Sequence, residues 1–571
     1  MKTLSLPALS ALSALMLSGC AQFGTLNVSG NQIAPALANN TASQTFSGPA
    51  PAAQTLADTA IAAEPINPAK ALATRNLSEI ADAIANGTVT SEAMVEAYLD
   101  RIEKLDRNGP TLRAVLSLNP AALDDARAAD AARAAGETLG ALHGVPVLLK
   151  DNIETLDPIA TTAGALVLKD NFVERDAPLT AGLRAAGAII LGKTNLSQWA
   201  NFRSTDSISG WSAIGGQVRN PHMLDRSPCG SSSGSGSAAA AALAAGTVGT
   251  ETNGSVICPS TINGIVGFKP TVGLVAQKGI VPISSTQDTA GPMTRSVRDA
   301  AMMLTAMSTG EGAADFAATL SDTSLDGKRV GVLRFAIGTH AGVAARFDEA
   351  LEVLGAQGAV LVDITELDLP DGYGAGETEV LQTEFKHTLN EYLANAAPGV
   401  EHRTLKDVIA FNNANANVEL ELFNQDIMEA SEAQAGIDDP EYLEAREMIV
   451  TASRAGAIDK YLAEHNLDVL VAPSFGPSWL IDGVYGDNTL GNAGAGYLAA
   501  IAGYPHLTVP MGTVRELPVG LSFMSTAGDD ANVLSYGYDY EQASGRIVTP
   551  KFHRSLDNVP AVARANRPNG R

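Results

Sequence analysis

The residues that could do chemistry in this chain of 571 residues lie mainly between Cys229 and Thr271. The stretch opens with Cys229-Gly-Ser-Ser-Ser-Gly-Ser235 and runs through alanines to a second small-residue knot, Gly249-Thr-Glu-Thr-Asn-Gly-Ser255. It closes on Gly267-Phe-Lys-Pro-Thr271. Serine hydroxyls such as Ser231 and Ser255 are nucleophiles in waiting. Each needs a base to take its proton and donors to hold the negative charge of a tetrahedral intermediate. The turn Thr252-Asn253-Gly254-Ser255 offers successive backbone N–H groups that can point one way, the arrangement of an oxyanion hole. A phosphate-binding loop would need a GxxxxGK[ST] pattern, which the stretch lacks.

Elements must bring the two knots together. Ser231 to Gly236 taken alone reads as a flexible linker. Ser237 to Ala245, however, is a strong helix former and too apolar for a linker, and its small side chains let a helix lie close to a sheet. A helix of this length advances roughly 13 Å. The extended run Thr247 to Thr250 would retrace about the same distance. Ser255 is therefore expected to return close to Ser231. Upstream, Val145 to Leu149 read as a buried strand bounded by turn residues, with Lys150 where the apolar run ends. A strand-end lysine read alone is a solvated cap.

The remaining elements suggest an open α/β sheet. Thr90 and Ser91 cap a helix through Met94, Tyr98, Ile102 and Leu105, stopped by Asn108-Gly109-Pro110. Val115 to Leu118 is a strand, and Asn119-Pro120 opens a helix ending near Gly140. Ala177 to Ala186 form a helix and Ala188 to Leu191 a strand. Further strands are expected at Arg329 to Leu333, Ala359 to Val362, Leu467 to Pro473 and Leu521 to Phe523. Helices are expected at Asp299 to Met307, Ala344 to Ala356 and Asp530 to Ala543. Residues 377 to about 464 read as a charged helical insertion, with Phe385, Leu389, Tyr392, Phe411, Leu422 and Ile427 as core contacts. The last twenty or so residues read as a tail.

The motifs resemble those of the amidase signature family, whose usual pattern is GGSSGGS, a small-residue helix, GTD-x-GGS and GLKPT. Leu149-Lys-Asp151 looks like the family's lysine motif. Asp288-Thr-Ala-Gly-Pro-Met293, Gly503-Tyr-Pro-His-Leu-Thr-Val-Pro510 and Leu517-Pro-Val-Gly-Leu-Ser-Phe523 also match, so the resemblance spans roughly residues 75 to 550. It implies an α/β fold with a large twisted mixed β-sheet core covered by helices on both faces. It also implies a serine amidohydrolase. Ser255 would attack the amide carbonyl, Ser231, whose family counterpart carries a cis peptide, would pass the proton, and Lys150 would accept it. The N–H groups of Thr252, Asn253, Gly254 and Ser255 would hold the oxyanion, and water would hydrolyse the acyl-enzyme. Lys150 must then be neutral, which burial would favour.

The combination Ser227-Pro-Cys-Gly-Ser-Ser-Ser-Gly234 with Gly-Thr-Glu-Thr-x-Gly-Ser is most similar to bacterial peptide amidases, which remove the C-terminal amide nitrogen of peptides. That branch carries Asp where this chain has Asn253, so the leaving-group preference does not simply carry over. A fatty-acid amide or ester hydrolase is the alternative. An anchored binding protein with a dead site is disfavoured by the intact Lys150, Ser231 and Ser255. No metal or other cofactor is implied.

Charge and cysteines bound the rest. The formal net charge is −24, which argues against nucleic acid as a partner and against a tRNA-dependent amidotransferase subunit. The three cysteines form no CxxC pair or Cys/His cluster. Cys229 and Cys258 are expected to be buried, unreactive thiols, with a disulfide between them left open. His143 is expected to be structural; a Ser-His-Asp site would need a G-x-S-x-G elbow, and none surrounds Ser255.

The N-terminus reads as an address. Lys2 precedes the apolar run Leu4 to Leu17, too short to span a membrane, and Leu17-Ser-Gly-Cys20 resembles a bacterial lipobox. Residues 1–19 would be a lipoprotein signal peptide, with Cys20 the lipidated residue. Residues 20–70 would be a disordered tether, having no Lys or Arg before Lys70 and too little apolar surface to offset their ordering entropy. Residues 71–560 would be the catalytic domain. With Ala21 following Cys20, the expected place is the periplasmic side of the outer membrane, held by the lipid. The protein is expected to be a monomer.

Overall fold

The computed structural model describes residues 67–489 and 491–567. The expected signal peptide, the expected lipidation site at Cys20 and most of the expected tether, up to residue 66, lie outside the described residues. In chain order the strands are β1 Val115–Leu118, β2 Pro146–Lys150, β3 Ile189–Thr194, β4 Trp211–Ser212, β5 Gly216–Gln217, β6 Gly246–Glu251 and β7 Val266–Lys269. They continue as β8 Thr289–Thr294, β9 Arg329–Leu333, β10 Val360–Ile364, β11 Val469–Pro473, β12 His506–Val514 and β13 Leu517–Met524. Eleven of them form one sheet in the order β1-β3-β2-β6-β8-β7-β12-β13-β11-β9-β10, and β4 pairs with β5. The sheet is mixed: β3-β2-β6 and β11-β9-β10 are parallel and the other neighbours antiparallel. Helices flank it, as the sequence led one to expect.

Every residue of β2, β3 and β6 is buried. Such strands read as continuous apolar or small runs, because helices take both faces of a parallel segment. The polar residues among them are therefore costly unless partnered. Lys150, Lys193 and Thr250 are the ones that matter below.

The helix through the serine knot differs from its expected place. It spans Ser233–Ala240 rather than Ser237 to Ala245. Alanine propensity yields here to the sheet. Ala242 takes φ +53°, and the Ala245 N–H donates to Pro146 O in β2, so the chain must leave the helix early to enter β6. The serines lie in and just before the helix, and four of the buried hydroxyls find a backbone acceptor: Ser232 on Thr250 O (3.0 Å), Ser233 on Cys229 O (2.6 Å), Ser235 on Val248 O (3.0 Å) and Ser237 on Arg219 O (2.9 Å). Gly234 is required by close approach, since a Cβ there would overlap the carbonyl oxygens of Asn195 and Ala114.

Other boundaries shift for similar reasons. The helix after Asn119-Pro120 spans Ala122–Ala134 and stops before Gly136, whose φ is +75°. A helix Pro68–Leu72, capped by Asn67, buries Ala69, so the ordered body overlaps the end of the expected tether. The C-terminal tail is also structured: Val559 and Val562, the latter in the helix Pro560–Ala565, pack on Met223 and Leu517. The insertion is mostly helical, its helices separated by irregular segments, and Phe385 and Leu389 are fully buried. Leu422 is not a core residue. It lies in an irregular segment where helical spacing has no meaning, and the buried neighbour is Phe423, stacked under the Arg203 guanidinium at 3.9 Å.

Candidate active site

Three neighbouring elements converge. β2 ends at Lys150 and runs parallel to β6, with Leu149 opposite Val248. β6 ends at Glu251 and passes into the turn Thr252–Ser255, after which a short helix Ile257–Ile262 begins. The segment before the helix Ser233–Ala240 carries Ser231, and the Ser232 N–H donates to Ser255 O at 3.2 Å. The two serine knots therefore meet, as the helix and strand lengths required. The peptide Gly230–Ser231 is cis.

Lys150 is wholly buried rather than a solvated cap. Its Nζ donates to Ser231 Oγ at 2.7 Å and to Thr250 Oγ1 at 2.8 Å, with a longer contact to Thr250 O at 3.3 Å. Thr250 Oγ1 also accepts from Asn152 Nδ2 at 3.0 Å. Burial drives the Lys150 pKa down to about 7, against the opposing pull of Asp288 and Glu251. A substantial fraction of the amine is thus neutral near neutral pH. Ser231 is fully buried while Ser255 is 9 % exposed, so of the two hydroxyls only the latter meets an incoming molecule. Among the described residues no hydrogen bond joins the two hydroxyls.

The turn leaves four backbone donors free. The N–H groups of Thr252, Asn253, Gly254 and Ser255 donate to no protein acceptor among the described residues. The next two are taken: Val256 and Ile257 N–H both donate to Glu251 Oε2, at 2.8 and 3.0 Å. Glu251 thereby caps the short helix and separates the committed N–H groups from the free ones. Gly254 adopts φ +79°, which lets the turn close. Thr252 is held from the other side, its Oγ1 donating to Asp288 Oδ1 at 2.5 Å. Asp288 also accepts from the Ile283 and Ser284 N–H groups, and burial raises its pKa to about 6.

Several partners carry no mark in the sequence. Thr250 and Glu251 were visible as motif letters without a role, and Asn152 follows the lysine motif directly. Their contacts depend on the β2–β6 register, which no local pattern encodes. Glu377, in the insertion helix Tyr373–Ala394, was missed altogether. It accepts from Asn253 Nδ2 at 2.7 Å across 124 residues of sequence.

The cysteines require a correction. Cys229 and Cys258 are buried, but they form a disulfide rather than separate thiols. The turn that returns Ser255 to Ser231 brings their Cα atoms to 6.0 Å, within bridging range. The bond ties the residue two before Ser231 to the residue three after Ser255. Closing a loop of this length, 29 residues, should stabilise the fold by about 3–4 kcal/mol. Urea denaturation of Cys229→Ser/Cys258→Ser should show a loss of that order, and addition of reductant should shift the wild type but not the double variant. His143 is structural as expected, its Nε2 lying 2.9 Å from Ala129 O. No cluster of metal-ligating side chains occurs among the described residues.

Comparison with known proteins agrees with this fold. A family model described as Amidase matches residues 93–534. A probable amidase of Arabidopsis thaliana is 37% identical over 499 residues, covering 83% of this chain and 91% of its own. Among solved structures, the native peptide amidase from Stenotrophomonas maltophilia superposes with a TM-score of 0.80 at 45% identity, covering 85% of this chain and 99% of that one. An amidase family protein from Bacillus anthracis gives a TM-score of 0.76 at 33% identity, covering 85% and 93%.

Proposed function

The chain belongs to the amidase family and is a hydrolase acting on amides, and from that premise we propose that Ser255 is its nucleophile and that it releases the amide nitrogen from C-terminal peptide amides or related small amides. The observation that carries the mechanism is the buried Lys150 Nζ–Ser231 Oγ hydrogen bond beside Ser255 and its free N–H groups. Neutral Lys150 takes the Ser231 proton as Ser231 takes that of Ser255. The Ser255 oxygen bonds to the carbonyl carbon, and the oxyanion forms against the Thr252–Ser255 N–H groups. The proton then returns through Ser231 to the nitrogen, which leaves as ammonia from a primary amide. Water repeats the sequence on the acyl-enzyme and releases the acid.

Similarity to the peptide amidase over 85% of the chain supports the peptide substrate. A panel of an N-blocked dipeptide amide, a fatty primary amide and an aryl amide tests it. The dipeptide amide should give the highest kcat/KM, with ammonia and peptide acid formed in equal amounts. Turnover of the fatty amide alone would replace this reading with a lipid-amide hydrolase. Export and lipid anchoring through Cys20 are part of the same proposal. The Cys229–Cys258 disulfide supports them, because such bonds persist in oxidising compartments.

A further inference from the structure

The insertion helix Tyr373–Ala394 reaches the oxyanion turn with two carboxylates, Glu377 and Glu384, seven residues apart on one face. Glu384 grips the neighbouring loop, accepting from the Ser284 hydroxyl (2.5 Å), the Thr286 N–H (3.1 Å) and hydroxyl, and the Tyr442 hydroxyl (2.7 Å). Glu377 sits over the turn itself. Its Oε1 accepts from Asn253 Nδ2 at 2.7 Å and from Gln287 Nε2 at 3.2 Å. Gln287 is almost wholly buried, and its Oε1 has no partner.

These contacts settle which way two side-chain amides face. Both amides turn their nitrogens toward Glu377 Oε1, and Gln287 Nε2 also reaches Thr252 O at 3.4 Å. The Asn253 oxygen is then left to face away from it. Glu377 Oε2 accepts no hydrogen bond from protein among the described residues. The mouth of the site, two residues before Ser255, thus offers acceptors.

We propose that Glu377 is a specificity-determining positioning residue: by holding the Asn253 and Gln287 nitrogens it presents oxygen acceptors, Asn253 Oδ1 and its own Oε2, to the leaving group, and so selects substrates whose leaving atom carries N–H over esters. A primary carboxamide brings two N–H donors to such a surface. An ester brings an oxygen with lone pairs and no donor, so its approach leaves the acceptors unpaired. This inference rests on the assignment of Ser255 as nucleophile.

The test compares an N-blocked dipeptide amide with the methyl ester of the same dipeptide. In Glu377→Gln the replacement can donate as well as accept, so the Asn253 amide is no longer held one way. The amide-to-ester ratio of kcat/KM should fall about tenfold, through kcat/KM for the amide, with the ester changed little. Glu377→Asp keeps the charge at shorter reach and should fall between. If Glu377→Gln does not fold, as read from its thermal unfolding, the ratio in Glu377→Asp decides. An unchanged ratio, or equal losses on amide and ester, overturns the proposal. Labelling by a serine-directed phosphonate separates the two levels: a wild type that does not label at Ser255 defeats the nucleophile assignment, whereas normal labelling with an unchanged ratio defeats only the role of Glu377.

Discussion

Ser255→Ala should lower kcat on amide substrates by on the order of 10⁵ and abolish covalent labelling by a serine-directed phosphonate, with little change in folding. The size follows from what is lost and what remains. Without the hydroxyl no acyl-enzyme forms, and the route is reduced to direct attack by water on a bound amide. The free N–H groups of Thr252, Asn253 and Gly254 remain and still stabilise an oxyanion, so activity should stay above the uncatalysed rate. The residue is 9 % exposed and its hydroxyl donates no hydrogen bond among the described residues, so its removal leaves no buried partner stranded and opens only a small void. Ser231→Ala is different. It strips Lys150 of its 2.7 Å partner and should cost activity and stability together. The nucleophile and its relay act as one unit, so Ser255→Ala/Ser231→Ala should be scarcely slower than Ser255→Ala alone. Retention of activity within tenfold in Ser255→Ala would assign the nucleophile elsewhere.

How much of this was legible in the sequence divides along physical lines. The site's local parts were readable because their signals are local. A small-residue helix, a Gly-containing turn and a following apolar strand are determined by short-range sterics, and helix and strand lengths sufficed to bring Ser255 back to Ser231. The long-range parts were not. Lys150 read alone is a solvated strand end; only the motif resemblance made it a base, and only the parallel pairing of β2 with β6 buries it against Thr250. The helix boundary at Ala240 was misplaced because alanine propensity, worth tenths of a kcal/mol per residue, yields to the register of β6. Cys229 and Cys258 gave no spacing rule, and their pairing is a consequence of the turn between them. Glu377 lies in an insertion whose charged residues look alike in sequence. Tertiary placement alone distinguishes it from Glu379, two positions along the same helix.

Lys150→Met should combine a large loss of activity with a gain in stability. As the general base, Lys150 should contribute on the order of 10³–10⁴ to kcat/KM. In the wild type, kcat/KM should rise with pH and level off above an apparent pKa near 7, since only the neutral amine accepts the Ser231 proton. The same depressed pKa opposes folding. The folded protein holds this proton less tightly than the unfolded chain, where the value is 10.5, so between about pH 7 and 10.5 the unfolded state binds more protons and stability from this group increases with pH. A fall from 10.5 to about 7 corresponds to on the order of 5 kcal/mol at its full extent. Methionine removes that cost but leaves Ser231 Oγ without its donor, so a net gain of about 1–3 kcal/mol is expected at pH 7. Lys193 and Lys269 are buried with pKa values lowered in the same sense, so wild-type stability alone will not isolate Lys150. The difference between Lys150→Met and wild type will, because the other lysines cancel. Measured by urea denaturation, that difference should shrink steadily as pH is raised from 7 toward 10. A difference independent of pH, or an acid limb in kcat/KM that remains in Lys150→Met, would remove Lys150 as the base.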